Sequence, residues 1–241
     1  MLQWIRSITF VVLATVYMPV VGLFYAPWAM FSKRGAYAGC KAYARGTMWM
    51  AEQIVGMRSE VRGIPPQGAV LVAAKHQSFL DILMIFNALP MAKFIMKKEI
   101  LWTPVIGLYA KRMEMVAVNR GKRGAAISKM LADVKAGEAE PGQLVIYSQG
   151  TRVAPGLSMP YKTGTAALYE QMGQVCVPVA TNAGYFGPRR GLYRKPGVAV
   201  VEFLDPILPG LGRAEFMKKL ESVVETRSDA LLEETGFHAP R

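Results

Sequence analysis

The chain is poor in the residues that build metal centres and disulfide frameworks. Its two cysteines, Cys40 and Cys176, cannot form a disulfide scaffold, and beside only His76 and His238 they make no zinc-ligand spacing. No metal and no bound cofactor are expected. A G-x-S-x-G nucleophile elbow is missing, so nothing points to a serine-bound intermediate. Acidic residues are scarce: 17 Asp+Glu stand against 29 Lys+Arg, a net charge of +12. The deficit lies early, since residues 1–201 hold 24 basic and 9 acidic groups, whereas residues 202–241 carry a net −3. Internal repeats and low-complexity linkers are absent, and 52% hydrophobic content excludes a disordered or fibrous chain.

Strong basicity usually suggests nucleic acid, but such proteins are hydrophilic, and here the mean hydropathy is +0.21. No helix interleaves aromatic and basic residues on a polar face, and no zinc or RNA-binding signature occurs. No nucleic-acid partner is expected. A basic and oily surface matches anionic lipid instead.

Residues 7–32 contain no charge, with Arg6 on one side and Lys33-Arg34 on the other. The run over 8–31 is long enough to cross a bilayer core if helical throughout. Pro19, Gly22 and Pro27 argue against one straight span, so a bent segment in one leaflet stands beside the spanning helix as an alternative. Ala36-Tyr37-Ala38 imitates a signal-peptidase site, yet an overlong apolar run and two cations precede it. A buried core helix would also fit the run; Trp4, Tyr25 and Trp28 near its ends favour lipid. The next stretch mixes Tyr37, Tyr43 and Trp49 with Lys41 and Arg45, as an interfacial amphipathic helix does. Residues 1–59 are thus expected to be membrane-anchoring helices and 60–241 the catalytic domain.

After residue 68 short apolar runs alternate with helical stretches. Strands are expected over 70–74, 94–96, 115–118, 144–147, 175–180 and 198–203. Helices are expected over 81–89, 104–112, 124–137, 163–173 and 213–234, the last with Phe216, Leu220, Val223, Val224 and Leu231 on one face. The alternation predicts an α/β fold around a mostly buried sheet flanked by helices, and the sheet is expected to be mixed.

Chemistry concentrates at strand ends. His76 follows the run 70–74, and Ser78-Phe-Leu-Asp81 has capping-box form. That cap turns Asp81 back toward the loop holding His76, where a carboxylate would fix one imidazole nitrogen and leave the other as a base. A histidine satisfying local backbone groups, with Asp81 a mere cap, is the competing reading. Tyr147-Ser-Gln-Gly-Thr-Arg152 follows another strand, and Pro160-Tyr-Lys-Thr-Gly164 comes soon after. Gly150 permits close approach, while Thr151 and Arg152 supply a hydroxyl and a planar cation suited to phosphate. Arg120 ends a third strand, with Lys122 and Arg123 beyond it as solvated charges.

His76-Gln-Ser-Phe-Leu-Asp81, Gly150-Thr-Arg152 and Val177-Pro178-Val179, in this order and spacing, resemble the glycerolipid acyltransferase family, nearest its bacterial 1-acylglycerol-3-phosphate acyltransferases. The segment from Lys97-Lys98-Glu99 through Pro104-Val-Ile-Gly107 to Arg120 resembles the family's second block. The likeness runs from about residue 60 to about 205, and the front of the chain resembles the two-helix membrane device of such enzymes. The resemblance implies a His76 general base oriented by Asp81, direct attack on an acyl thioester, and an acceptor phosphate held by Arg120, Gly150, Thr151 and Arg152. Gln149 would hold a glycerol hydroxyl, and Pro178 would shape the acyl or acceptor pocket. Implied partners are the bilayer, lysophosphatidic acid, and acyl-CoA or acyl-carrier protein as co-substrate. The implied location is the inner membrane, with the site facing the cytoplasm.

Three residues depart from the family pattern. Lys75 stands where Asn is common, and Ser148 and Gln149 stand where Pro and Glu are common. A neutral Gln149 cannot act as acid or base. Another lyso-lipid acceptor, such as a lyso-ornithine lipid, therefore stays open, as does a basic membrane-binding protein without catalysis.

Overall fold

The computed structural model describes residues 1–118, 128, 132 and 141–237. Arg120, the neighbouring Lys122 and Arg123, the helix expected over 124–137, and His238 lie outside the described residues.

Two helices open the chain. Helix α1 (Leu2–Phe31) runs through both prolines without a break, and α2 (Lys33–Met50) follows after the single extended residue Ser32. Pro19 and Pro27 lie on the exposed side of this helix, away from the body of the protein. The two helices form a close antiparallel hairpin, because glycines let the backbones approach. A Cβ on Gly46 would lie 2.4 Å from the Tyr17 hydroxyl, and one on Gly35 would lie 2.7 Å from the Trp28 carbonyl carbon. A wide π turn (Ala51–Val55) extends α2, and left-handed Gly56 (φ 73°) ends it and redirects the chain.

Among the described residues the sheet has seven strands: β1 (Met57–Arg62), β2 (Val70–Ala74), β3 (Ala92–Lys97), β4 (Val116–Val118), β5 (Gln143–Tyr147), β6 (Cys176–Thr181) and β7 (Gly197–Phe203). Their order is β1-β7-β6-β2-β5-β3-β4. The five strands from β6 to β4 are mutually parallel; β7 is antiparallel to β6, and β1 is parallel to β7. The sheet is mixed and flanked by helices, as expected; the antiparallel β7 is what departs from the parallel arrangement that simple strand–helix alternation produces. Strand β1 straddles residue 59, so the chain enters the sheet at Met57. Between strands lie α3 (Phe79–Ala88), a 3-10 turn (Lys98–Trp102), α4 (Ile106–Arg112), α5 (Gly164–Met172), the single turn α6 (Ala183–Phe186) and α7 (Arg213–Glu233).

Both faces of the sheet are covered, which is why its central strands read as unbroken apolar runs. Val72, Ala74, Val145 and Val177 point to the face that meets Met84 and Ile85 of α3, and Phe10, Ala29 and Tyr37 of the hairpin. Leu71, Ala73, Leu144 and Cys176 point to the other face, against Leu168 of α5 and Phe216, Leu220 and Val224 of α7. Tyr169 stacks on Phe216 at 3.8 Å between ring centroids there. Helix α1 packs along its length through Ser7, Phe10, Val21, Gly22 and Ala29. Its opposite face, including Ile5, Val12, Val16, Val20, Leu23 and Phe31, is exposed.

Candidate active site

The carboxyl ends of the parallel strands share one edge of the sheet, where α/β proteins assemble their sites. His76 leaves the end of β2 and Asp81 sits in the first turn of α3. Ser78 caps that helix: its Oγ accepts from the Leu80 N–H at 3.1 Å, and its own N–H donates to Asp81 Oδ2 at 2.7 Å. The Gln77 N–H donates to the same oxygen at 2.8 Å. Asp81 is fully buried, and its Oδ1 lies 2.8 Å from His76 Nδ1. With the other oxygen held by two backbone amides, the carboxylate is aimed at the imidazole and selects the tautomer protonated at Nδ1. His76 keeps a side-chain exposure of 12%, and its bond to Asp81 through Nδ1 leaves Nε2 as the ring nitrogen for base chemistry.

A third group completes the pair. The register places Tyr147 of β5 beside Ala74 of β2. Its ring stacks on His76 with centroids 3.9 Å apart, and its hydroxyl donates to Asp81 Oδ1 at 3.2 Å. Burial and the adjacent Asp81 carboxylate push the Tyr147 phenol well above its ordinary value, so it remains a donor. The sequence reading assigned Tyr147 no role; only strand register reveals it.

The glycine-threonine-arginine segment lies beside this pair. Gly150 adopts φ 70°, and its N–H closes a tight turn on the Tyr147 carbonyl at 2.8 Å. Two residues past Thr151, the Val153 N–H donates to the His76 carbonyl at 2.8 Å. Thr151 and Arg152 are half-buried. Gln149 turns inward: it is 1% exposed, its Nε2 donates to the Met159 carbonyl at 3.1 Å, and its Oε1 has no hydrogen-bond partner among the described residues. Pro178 is buried within β6 on the face of Cys176 and Ala180, which is not the His76 face. Further cations, Lys97 and Lys98, are exposed at the carboxyl end of β3 on the same sheet edge. A cavity of about 610 Å³, lined in part by Glu60, Tyr185, Lys195 and Glu234, opens at the β1–β7 side and contains none of these groups.

Among the described residues no cluster of three His, Cys, Asp or Glu side chains could hold a metal ion. What the arrangement offers is an oriented imidazole beside a cationic loop.

Comparison with known proteins agrees with this geometry. The Acyltransferase family model matches residues 58–182, which include the histidine–aspartate pair, the arginine loop and β6. The chain belongs to the Acyltransferase family. A 1-acyl-sn-glycerol-3-phosphate acyltransferase of Pseudomonas aeruginosa is 26% identical over 204 residues, covering 83% of this chain and 79% of the relative. The corresponding alpha enzyme of Mus musculus is 27% identical over 76% of this chain and 70% of its own. The fold of this acyltransferase matches the crystal structure of the 1-acyl-sn-glycerophosphate (LPA) acyltransferase PlsC from Thermotoga maritima. That match has a TM-score of 0.77 and 20% identity, over 95% of this chain and 97% of the other. The acyltransferase thus carries an α/β domain with an N-terminal apolar helix as candidate membrane anchor.

Proposed function

We propose that the acyltransferase moves an acyl chain from a thioester to the sn-2 hydroxyl of 1-acyl-sn-glycerol 3-phosphate, giving phosphatidic acid for phospholipid synthesis. The observation that carries this reading is the His76–Asp81–Tyr147 cluster seated beside the Gly150-Thr151-Arg152 turn. His76 Nε2 takes the hydroxyl proton as the oxygen attacks the thioester carbonyl carbon. The carbon–sulfur bond then breaks, and the departing thiolate receives the proton from His76. Asp81 stabilises the imidazolium formed between these events. Arg152, with the Gly150 and Thr151 groups and Arg120, binds the acceptor phosphate, and acyl-CoA or acyl-carrier protein is the donor. No covalent enzyme intermediate and no cofactor enter the scheme. The inward Gln149 supports the loop rather than the glycerol, which leaves the phosphate as the main handle on the acceptor.

The attachment is monotopic, to the cytoplasmic membrane. The soluble acyl-CoA or acyl-carrier-protein donor and the Lys/Arg excess are the grounds for a site facing the cytoplasm, and the ground for the attachment is helix α1. It is long and apolar enough to span a bilayer, yet its packing along the body favours lying in one leaflet with the exposed stripe in lipid. A one-chain acceptor could then reach His76 without leaving the membrane.

The test is transfer of labelled palmitate, from CoA and from acyl-carrier protein, to micellar 1-acyl-glycerol 3-phosphate, monoacylglycerol and lyso-ornithine lipid. The expected product is phosphatidic acid alone. Transfer to either phosphate-free acceptor at an equal rate would overturn the phosphate assignment.

A further inference from the structure

Lys75, the residue before the catalytic-site histidine, is 1% exposed, and its ammonium is bonded to Glu225 on α7. Strand alternation explains how this coexists with His76. Leu71 and Ala73 face α7, whereas Val72 and Ala74 face α3. Continuing the alternation, Lys75 and His76 leave the end of β2 on opposite faces. The Lys75 N–H also donates to the Val179 carbonyl of β6 at 3.0 Å.

The same carboxylate has a second grip. Glu225 Oε1 accepts from the Tyr161 hydroxyl at 2.8 Å, and Tyr161 is buried at 7% exposure. Burial and the Glu225 carboxylate push that phenol far up, so it stays a donor. The next residue ties back to the site: the Lys162 N–H donates to the Ser148 carbonyl at 2.8 Å, at the base of the loop bearing Gly150, Thr151 and Arg152. One side chain on the last helix therefore holds both the strand end under His76 and the loop that carries the anion-binding groups.

Stability alone does not account for such a cluster. Replacing a buried ion pair with apolar groups of similar volume is often neutral or favourable. Fixed geometry does account for it, because a misplacement of about 1 Å between reacting groups costs on the order of 100-fold in rate.

We propose that Lys75, Glu225 and Tyr161 form the positioning element of this site, setting the distance between the His76 base and the Arg152 loop. The inference rests on the acyl-transfer reading above and deepens it, and it concerns residues that never touch substrate.

The experiment combines Lys75→Met, Glu225→Met and Tyr161→Phe in one variant, so that no buried polar group is orphaned. Melting temperature, kcat, acceptor KM and the rate of His76 carbethoxylation by diethylpyrocarbonate are compared with wild type. The expected result is an unchanged or raised melting temperature, a kcat at least tenfold lower, and faster carbethoxylation as the ring loses its fixed seat. A kcat and carbethoxylation rate within twofold of wild type would overturn the proposal. If the triple variant melts early, Tyr161→Phe alone decides: a severalfold higher acceptor KM supports the positioning role, and unchanged KM and carbethoxylation refute it. Absence of acyl transfer by the wild-type protein would refute the acyl-transfer reading instead, and carbethoxylation would still report on the positioning.

Discussion

Replacing Asp81 with asparagine separates its two duties. In the native structure Oδ2 accepts two backbone N–H bonds, and Oδ1 accepts from His76 Nδ1 and the Tyr147 hydroxyl. An asparagine carbonyl can keep both backbone bonds, but they become neutral rather than charge-assisted. At about 1 kcal/mol lost per bond, the helix cap and fold weaken by about 2 kcal/mol. The new amide then points its hydrogens at His76 Nδ1 and forces the proton onto Nε2, removing the base. Trapping a catalytic histidine in the wrong tautomer costs about 10⁴-fold in kcat in serine proteases, and the same order is expected here. Asp81→Ala differs: it strands two buried amides and a phenol, at about 1–3 kcal/mol each, and should fail first in folding. The assay is initial-rate transfer from labelled palmitoyl-CoA, with thermal melts of the same samples. An Asp81→Asn enzyme that is still folded at the assay temperature and works within tenfold of wild type would refute the tautomer argument.

Three other outcomes follow from particular contacts. Val12, Val16 and Val20, each more than half exposed, lie on one stripe of α1; changing all three to Gln removes about 1 kcal/mol of lipid burial per side chain. Vesicle partitioning should fall roughly 100-fold with an unchanged melting temperature, and unaltered cosedimentation would contradict the in-leaflet placement. Burial pushes the Glu114 carboxyl up, but hydrogen bonds from Lys33 on α2 and Lys93 on β3 outweigh it and hold it below its ordinary value. Its stabilising contribution is therefore full above about pH 4.5 and lost as pH falls through the lower folded value. The melting gap between wild type and Glu114→Gln should close with acidification; a constant gap would argue against it. Burial pushes the Cys40 and Cys176 thiols up to about 12. At pH 8 Ellman's reagent should label both far more slowly in the folded than in the unfolded protein, a difference that equal rates would negate.

Much of the site could be read from the sequence because it is local. Ser78, Asp81 and His76 lie within six residues, and a capping box determines where the third residue of a helix points. The apolar strands were legible for the same reason, since a sheet covered on both faces shows as short apolar runs. What escaped depends on neighbours distant in sequence. Strand β1 (MRSEVR) is an edge strand with three charged residues, two of them paired with Glu60 at the surface, and offers no apolar run to find. The roles of Tyr147 and Lys75 depend on strand register and on a helix 150 residues away. Helix α1 is continuous from Leu2 to Phe31 with both prolines inside it, because the tertiary contacts along its packed face outweigh the hydrogen bonds the prolines remove. Pro178 and Gln149 carry motif positions without facing the imidazole, because strand alternation and the turn at Gly150 direct them elsewhere.

The central claim, that His76 is the base for acylating a phosphate-bearing lyso-lipid, is met most directly by one rate comparison. Wild type and His76→Ala are assayed at saturating 1-acyl-glycerol 3-phosphate and acyl thioester in the same micelles, with matched thermal melts. The account predicts phosphatidic acid from the wild type and a loss of at least about 10³-fold in the variant, in line with removal of a general base within a fixed site. A correctly folded His76→Ala protein that still forms phosphatidic acid at a comparable rate would contradict it.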